Sequence, residues 1–286
     1  MENVEAVQTV SIFVGIAFGL SIILSIATGA TGGAKSKITR FALIAFFFPA
    51  IAVLIMTFGF DAPINDAGWG RFPFTWLLVA LFIFPLAIHL VALPVQAAIN
   101  NNSLPWQKWL TPDEAGFYQT PKGNTLTRPR LVSSILQNAL IGVVLVSFFA
   151  FFEEIGWRAW MLPRLMDSFD LRTAVFISAL IWSLWHVPFV FGGIQQIEGV
   201  PTRVMLILYP LGLVGAGIVL GWLWLNSRSI WIVTLAHGAL NNWGQFAFKY
   251  MEDSPPKETG FHSNVVLLTA VNLTLVALGL IILFRI

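Results

Sequence analysis

Six side chains in this sequence have the types and spacing that hydrolytic chemistry needs. Glu153 and Glu154 stand side by side in FFAFFEEIGWRAW, and Arg158 follows the second by four residues. His186 lies in IWSLWHVPF, and His237 precedes Asn241 by four in WIVTLAHGALNNW. A carboxylate and a histidine can together deprotonate a water. A second histidine with an amide donor can stabilise the oxyanion of a tetrahedral intermediate. That combination describes hydrolysis of a peptide bond. The same Glu153, His186 and His237 could instead ligate zinc, because two His and one Glu form a known catalytic ligand set. On residue types alone both arrangements stand.

Helical spacing separates the two glutamates. Glu154 and Arg158 share one helix face and can pair directly. Glu153 is rotated by about 100° from its neighbour, so it needs another partner or a neutral state at that depth. A purely structural charge pair would account for Glu154 and Arg158, though less well for Glu153. The other two histidines have plainer readings. His89, in FPLAIHLVALP, is expected to hydrogen-bond within or between helices, and His262, in ETGFHSN, is expected to be solvated.

The elements that carry these residues follow from composition. Of the 286 residues 57% are hydrophobic and 10% charged, against about 25% charged in soluble domains; mean hydropathy is +0.79. This is the composition of an integral membrane protein. The formal charge of +2 rests on few ionisable groups and does not suggest nucleic-acid binding. Without cysteine there is no thiol nucleophile, disulfide or zinc–thiolate site. Glu2 and Glu5 stand where a secretory signal carries basic residues, so the first apolar run is expected to remain as an anchored helix.

Eight stretches reach the ~20 apolar residues that span a bilayer: roughly 8–29, 41–60, 73–99, 131–162, 174–193, 203–225, 229–249 and 264–285. They predict an all-α bundle of about eight transmembrane helices around an intramembrane polar cavity, as a single domain over residues 1–286. The one long connection, residues 100–130, is rich in turn formers and is expected to be a loop or surface-lying lid. Pro163 is expected to end the fourth span. Because spans alternate direction, Glu153, His186 and His237 then converge about 12–18 Å below one membrane face.

Known intramembrane hydrolase patterns are otherwise missing. There is no H-E-x-x-H, no G-x-S-x-G and no Tyr-Asp dipeptide. EEIGWR does match the E-E-x-x-x-R signature of the CAAX prenyl protease and bacteriocin-processing family (CPBP, or Abi). WHVPF resembles its second motif and HGALN its third, H-x-x-x-N/D. The family often has Phe four residues before the second-motif histidine, where this chain has Trp182. The three motifs run in order over roughly residues 152–243.

The resemblance implies intramembrane endoproteolysis, with Glu153 activating water and His186 assisting. His237 and Asn241 would form the oxyanion site, and Glu154 and Arg158 the supporting pair. It implies a peptide or lipidated-protein substrate in the bilayer, either a prenylated Cys-a-a-X tail or a bacteriocin-like peptide. No cofactor is required, with zinc the open alternative. A non-catalytic scaffold or immunity protein of the same family competes with this reading, as does a proton-coupled transporter. The expected location is the plasma membrane of a prokaryote. Ten Lys and Arg fall on the face of the 31–40, 100–130, 194–203 and 249–263 loops, and six on the glutamate side. Positive-inside counting puts the ten-residue face in the cytoplasm and the glutamates nearer the exterior, at odds with cytosolic access to a CAAX tail.

Overall fold

A computed structural model describes residues 2–99, 110–119, 124–249 and 263–286. Seven helical stretches are long and apolar enough to cross a membrane. They are Glu5–Ala30, Lys37–Phe60, Phe74–Ile99, Arg128–Met166, Leu171–Phe191, Thr202–Ser227 and Ser263–Leu283. The remaining expected span is also helical, Ile230–Lys249, but stands apart from the seven. His237, Asn241, Asn242 and Gln245 make it too polar, and two of these are candidate site residues. The fold is an all-α membrane bundle, as its composition predicts.

In chain order the α-helices are α1 (Glu2–Ala30), α2 (Phe48–Phe60), α3 (Leu77–Ile99), α4 (Arg128–Glu154), α5 (Leu162–Met166), α6 (Leu171–Trp185), α7 (Val187–Phe191), α8 (Thr202–Ser227), α9 (Ile230–Lys249) and α10 (Ser263–Leu283). A 3-10 helix, Lys37–Phe47, leads into α2. Pro85 and Pro94 lie within α3 and Pro210 within α8, and each helix continues through its prolines. The prolines therefore do not create the discontinuous helices a transporter reading would use. Residues 100–109 and 120–123 of the expected 100–130 loop lie outside the described residues, as does His262. Its described part holds a two-residue antiparallel ribbon pairing Tyr118 with Leu126 and Gln119 with Thr125.

The fourth span differs from expectation at its end. Pro163 does not terminate it: α4 passes at Glu154 into a π-helical turn, Ile155–Met161, and then into α5. A proline ring crowds the carbonyl four residues back in an α-helix. The wider π turn just before it accommodates that ring, and Pro163 sits in the first turn of the new helix, where its missing N–H costs nothing. π turns of this kind recur at functional sites.

Packing around this turn is dense. Trp157, Trp160, Met161 and Leu162 are fully enclosed, with Phe13 of α1 stacked on Trp160 at 4.6 Å between centroids. Lipid tails are as apolar as leucine, so the helices associate through close van der Waals fit and not through expulsion of water. Gly215 of α8 and Gly279 of α10 meet backbone to backbone, where a Cβ would not fit. Those contacts fix α8 against α10, while α6 packs on α8, and α9 on α4 and α3.

Candidate active site

Four separate segments bring the predicted residues together. Glu153 and Glu154 end α4, Arg158 lies in the π turn, His186 caps α6, and His237 sits two turns into α9. Glu154 and Arg158 are fully enclosed, His237 is 1% exposed, Glu153 2% and His186 9%. Charge at this depth is tolerated only when paired and hydrogen-bonded.

Glu154 carries that pairing. Its Oε1 accepts from Arg158 Nη1 at 2.9 Å, the predicted four-residue pair, and also from His237 Nδ1 at 2.7 Å. The sequence reading gave Glu154 only its arginine and turned Glu153 toward both histidines; in the structure Glu154 binds His237. Arg158 reaches on to the Gly217 carbonyl at 3.4 Å and lies over the Trp182 ring at 4.7 Å. Glu154 thus ties α4, the π turn and α9 into one unit, with α8 attached through Arg158.

Glu153 is held differently. Its Oε2 accepts the indole N–H of Trp182 at 2.8 Å. Trp182 in turn presents its ring edge-on to His186 at 5.1 Å and to His237 at 5.3 Å. His237, Glu154 and Arg158 are near enough to act on Glu153 electrostatically.

The histidine tautomers follow from their partners. His186 Nδ1 is 2.9 Å from the Trp182 carbonyl, an acceptor only, so Nδ1 carries the hydrogen and Nε2 has a lone pair. His237 Nδ1 likewise donates to the Glu154 carboxylate. Each histidine therefore spends Nδ1 on the scaffold and keeps Nε2 free. Among the described residues, Glu153 Oε1 and the two Nε2 atoms take no hydrogen-bond partner. None of the three is among the fully enclosed unpartnered atoms, whereas Glu154 Oε2 and Arg158 Nε are.

Asn241 is half-buried, one helical turn beyond His237 on the same face, and among the described residues its side chain takes no hydrogen-bond partner. His89 bonds the Pro85 carbonyl of its own helix at 2.9 Å and packs on Trp243, away from this cluster. Two contributors escaped sequence reading. Trp182 was noted only as a departure from a motif, although a buried indole N–H needs an acceptor. Tyr209, one of three tyrosines in the chain, stands 6.0 Å from the His186 ring, and its hydroxyl accepts from Gln195 Nε2 at 2.6 Å. Its place in a span beside Pro210 was the available signal.

The zinc alternative can be tested on these residues. Among the described residues no group of three or more His, Cys, Asp or Glu side chains is arranged to hold a metal ion. Glu153 Oε2 already accepts from the Trp182 indole, whose ring stands edge-on to both histidines. As placed, this set does not fit zinc.

Burial is one-sided. On α9 it falls from His237 through half-buried Asn241 to exposed Gln245. On α8 it is dense over Gly215–Leu220 and sparse toward Thr202. The closed half lies toward the glutamate end of α4, and the looser half toward the face with ten basic residues.

A multi-helix membrane bundle with a buried cluster of glutamate, arginine and histidine side chains at its centre is the class that fold and site define. Comparison with known proteins carries this further. The family model described as type II CAAX prenyl endopeptidase Rce1-like matches residues 135–243, a segment that contains all six candidate residues. "CAAX prenyl protease 2" of Methanococcus maripaludis is 30% identical over 113 residues, 39% of this chain. The chain spans 42% of that relative's length. The resemblance read from the three motifs is borne out over this segment.

Proposed function

We propose that this chain is an intramembrane endopeptidase of the CAAX prenyl protease type, cutting a prenylated C-terminal tail after the modified cysteine. The observation that carries the reading is the state of three atoms: among the described residues Glu153 Oε1, His186 Nε2 and His237 Nε2 take no hydrogen-bond partner, and none is among the fully enclosed unpartnered atoms. In a bundle where buried polar atoms otherwise cost about 1–3 kcal/mol when unpaired, such atoms serve a ligand.

A water held between Glu153 Oε1 and His186 Nε2 gives its proton to Glu153 as its oxygen attacks the scissile carbonyl carbon. The developing oxyanion takes hydrogen bonds from Asn241 Nδ2 and from His237, with a proton on Nε2. When the tetrahedral intermediate collapses, the C–N bond breaks and Glu153 returns the proton to the leaving amine. Glu154 and Arg158 touch no reacting atom: they hold His237 and the π turn in place.

The burial gradient supports one side of the orientation conflict. Glu153 lies nearer the face with six basic residues, but that side is closed by the packed π turn. Access is from the looser half, on the ten-residue face that positive-inside counting places in the cytoplasm. Nearness to a face and access from it are different quantities.

The test uses the full chain in proteoliposomes with a farnesylated Cys-a-a-X peptide, reading release of the tripeptide by mass spectrometry. Cleavage that survives strict chelation is expected. A bacteriocin-like leader peptide run in parallel distinguishes the other substrate class, and binding without cleavage of either peptide overturns the endopeptidase reading.

A further inference from the structure

Trp182 is in contact with four of the ionisable groups at the site. Its indole N–H binds Glu153, its carbonyl accepts from His186, its ring meets His186 and His237 edge-on, and Arg158 lies over its face. An indole N–H is a donor and nothing else. Whatever the protonation state of Glu153, Oε2 is therefore the oxygen that accepts, and a proton arriving from water is directed to Oε1. Among the described residues that oxygen takes no hydrogen bond, the one bond to this carboxylate falling on Oε2. Glu154, Arg158, His237 and Tyr209 are the other charged or titratable groups acting near this carboxylate; none of them donates a hydrogen bond to it among the described residues.

We propose that Trp182 is a positioning residue that clamps Glu153 Oε2 and so makes Oε1 the sole proton-exchanging oxygen of the site. The proposal rests on Glu153 being the water-activating carboxylate. Trp182→Phe keeps an aromatic ring beside His186, His237 and Arg158 and removes the donor together with the five-membered ring, so the unfolding midpoint is read beside kcat to separate the lost bond from lost packing.

Two measurements on the full chain test it. In the proteoliposome assay, Trp182→Phe is expected to lower kcat by about tenfold or more, the weight of one hydrogen bond to a charged group. KM for the farnesylated peptide should stay within about twofold, because the clamp acts on the attacking water and not on substrate binding. Wild-type kcat in Trp182→Phe overturns the clamp, and so does a loss of kcat that comes with a matching rise in KM and fall in unfolding midpoint. The second measurement needs no turnover. The infrared carboxyl band that Glu153→Gln removes belongs to Glu153, and Trp182→Phe is expected to shift its frequency; an unshifted band contradicts the contact. If Glu153→Gln cleaves like wild type, the assignment of Glu153 as the water-activating carboxylate falls, while the infrared comparison still decides the clamp.

Discussion

One membrane-spanning stretch, Arg128–Met166, passes through two environments. Among its described side chains none from 128 to 142 is buried, and Leu136, Leu140 and Val144 are 54%, 61% and 60% exposed. From Glu153 to Leu165 nearly every side chain is enclosed. Both ends mix apolar with polar residues, Arg128, Arg130, Ser133, Ser134 and Gln137 at one and Glu153, Glu154, Arg158 and Arg164 at the other, so composition alone does not distinguish them. In lipid, an exposed leucine gains little by being buried. What separates the ends is polar: Glu153, Glu154 and Arg158 must be satisfied internally, and a shell of tryptophans closes around them. The tight end exists to support charge, and the loose end needs only to face lipid.

Removing one partner of the buried pair is the harshest way to test this contrast. Arg158→Ala leaves Glu154 with His237 alone and is expected to cost about 3–5 kcal/mol of stability, read as a large fall in the detergent unfolding midpoint or as failure to accumulate. At the loose end, Leu140→Ala should change the midpoint by about 0.5 kcal/mol or less. Comparable losses at both ends would erase the distinction.

Gly156 sharpens the comparison within the tight end. A Cβ there would come within 2.5 Å of Pro49 Cβ and 3.1 Å of Phe13 Cζ. Gly156→Ala is expected to cost about 1–3 kcal/mol through overpacking. Because the π turn carries Arg158, kcat should fall as well. A neutral Gly156→Ala would mean that α1 and α2 are free to give way.

The smallest expected effect lies outside the membrane. Asp170 caps α6, its carboxylate accepting from Thr173 Oγ1 at 2.6 Å and Thr173 N at 3.2 Å. The Thr173 hydroxyl, then its backbone N–H, hold this carboxyl below the usual aspartate value. A depressed value in the folded state gives stability that is present above the unfolded-state value and is lost as pH falls through the folded one. Asp170→Ala should lower the midpoint slightly at neutral pH, with the difference closing in acid and kcat unchanged. A drop in kcat would mean that α6 transmits cap strain to Trp182.

Much of the fold was legible because a bilayer imposes length and apolarity on each span, and all eight expected stretches are helical. The pairing of Glu154 with Arg158 was legible too, since four-residue spacing survives even where the helix passes into a π turn. Which glutamate meets His237 was not. That depends on how α9 rotates against α4, which is set by packing between helices and leaves no mark in the periodicity of either one. The indole bond to Glu153 was hidden for a related reason: Trp182 reads as one more apolar position in a span. The side of access stays open in the sequence, because counting residues to the nearer face gives a depth and not an opening.

The central claim is that two adjacent glutamates have different work, Glu153 on water and Glu154 on the scaffold. The most direct measurement compares Glu153→Gln and Glu154→Gln for both kcat on the farnesylated peptide and unfolding midpoint. Glu153→Gln should lose about 10²–10⁴-fold in kcat with its midpoint near wild type, while Glu154→Gln should lose stability together with activity. Retained cleavage by Glu153→Gln, or the same pattern for both variants, would contradict the account.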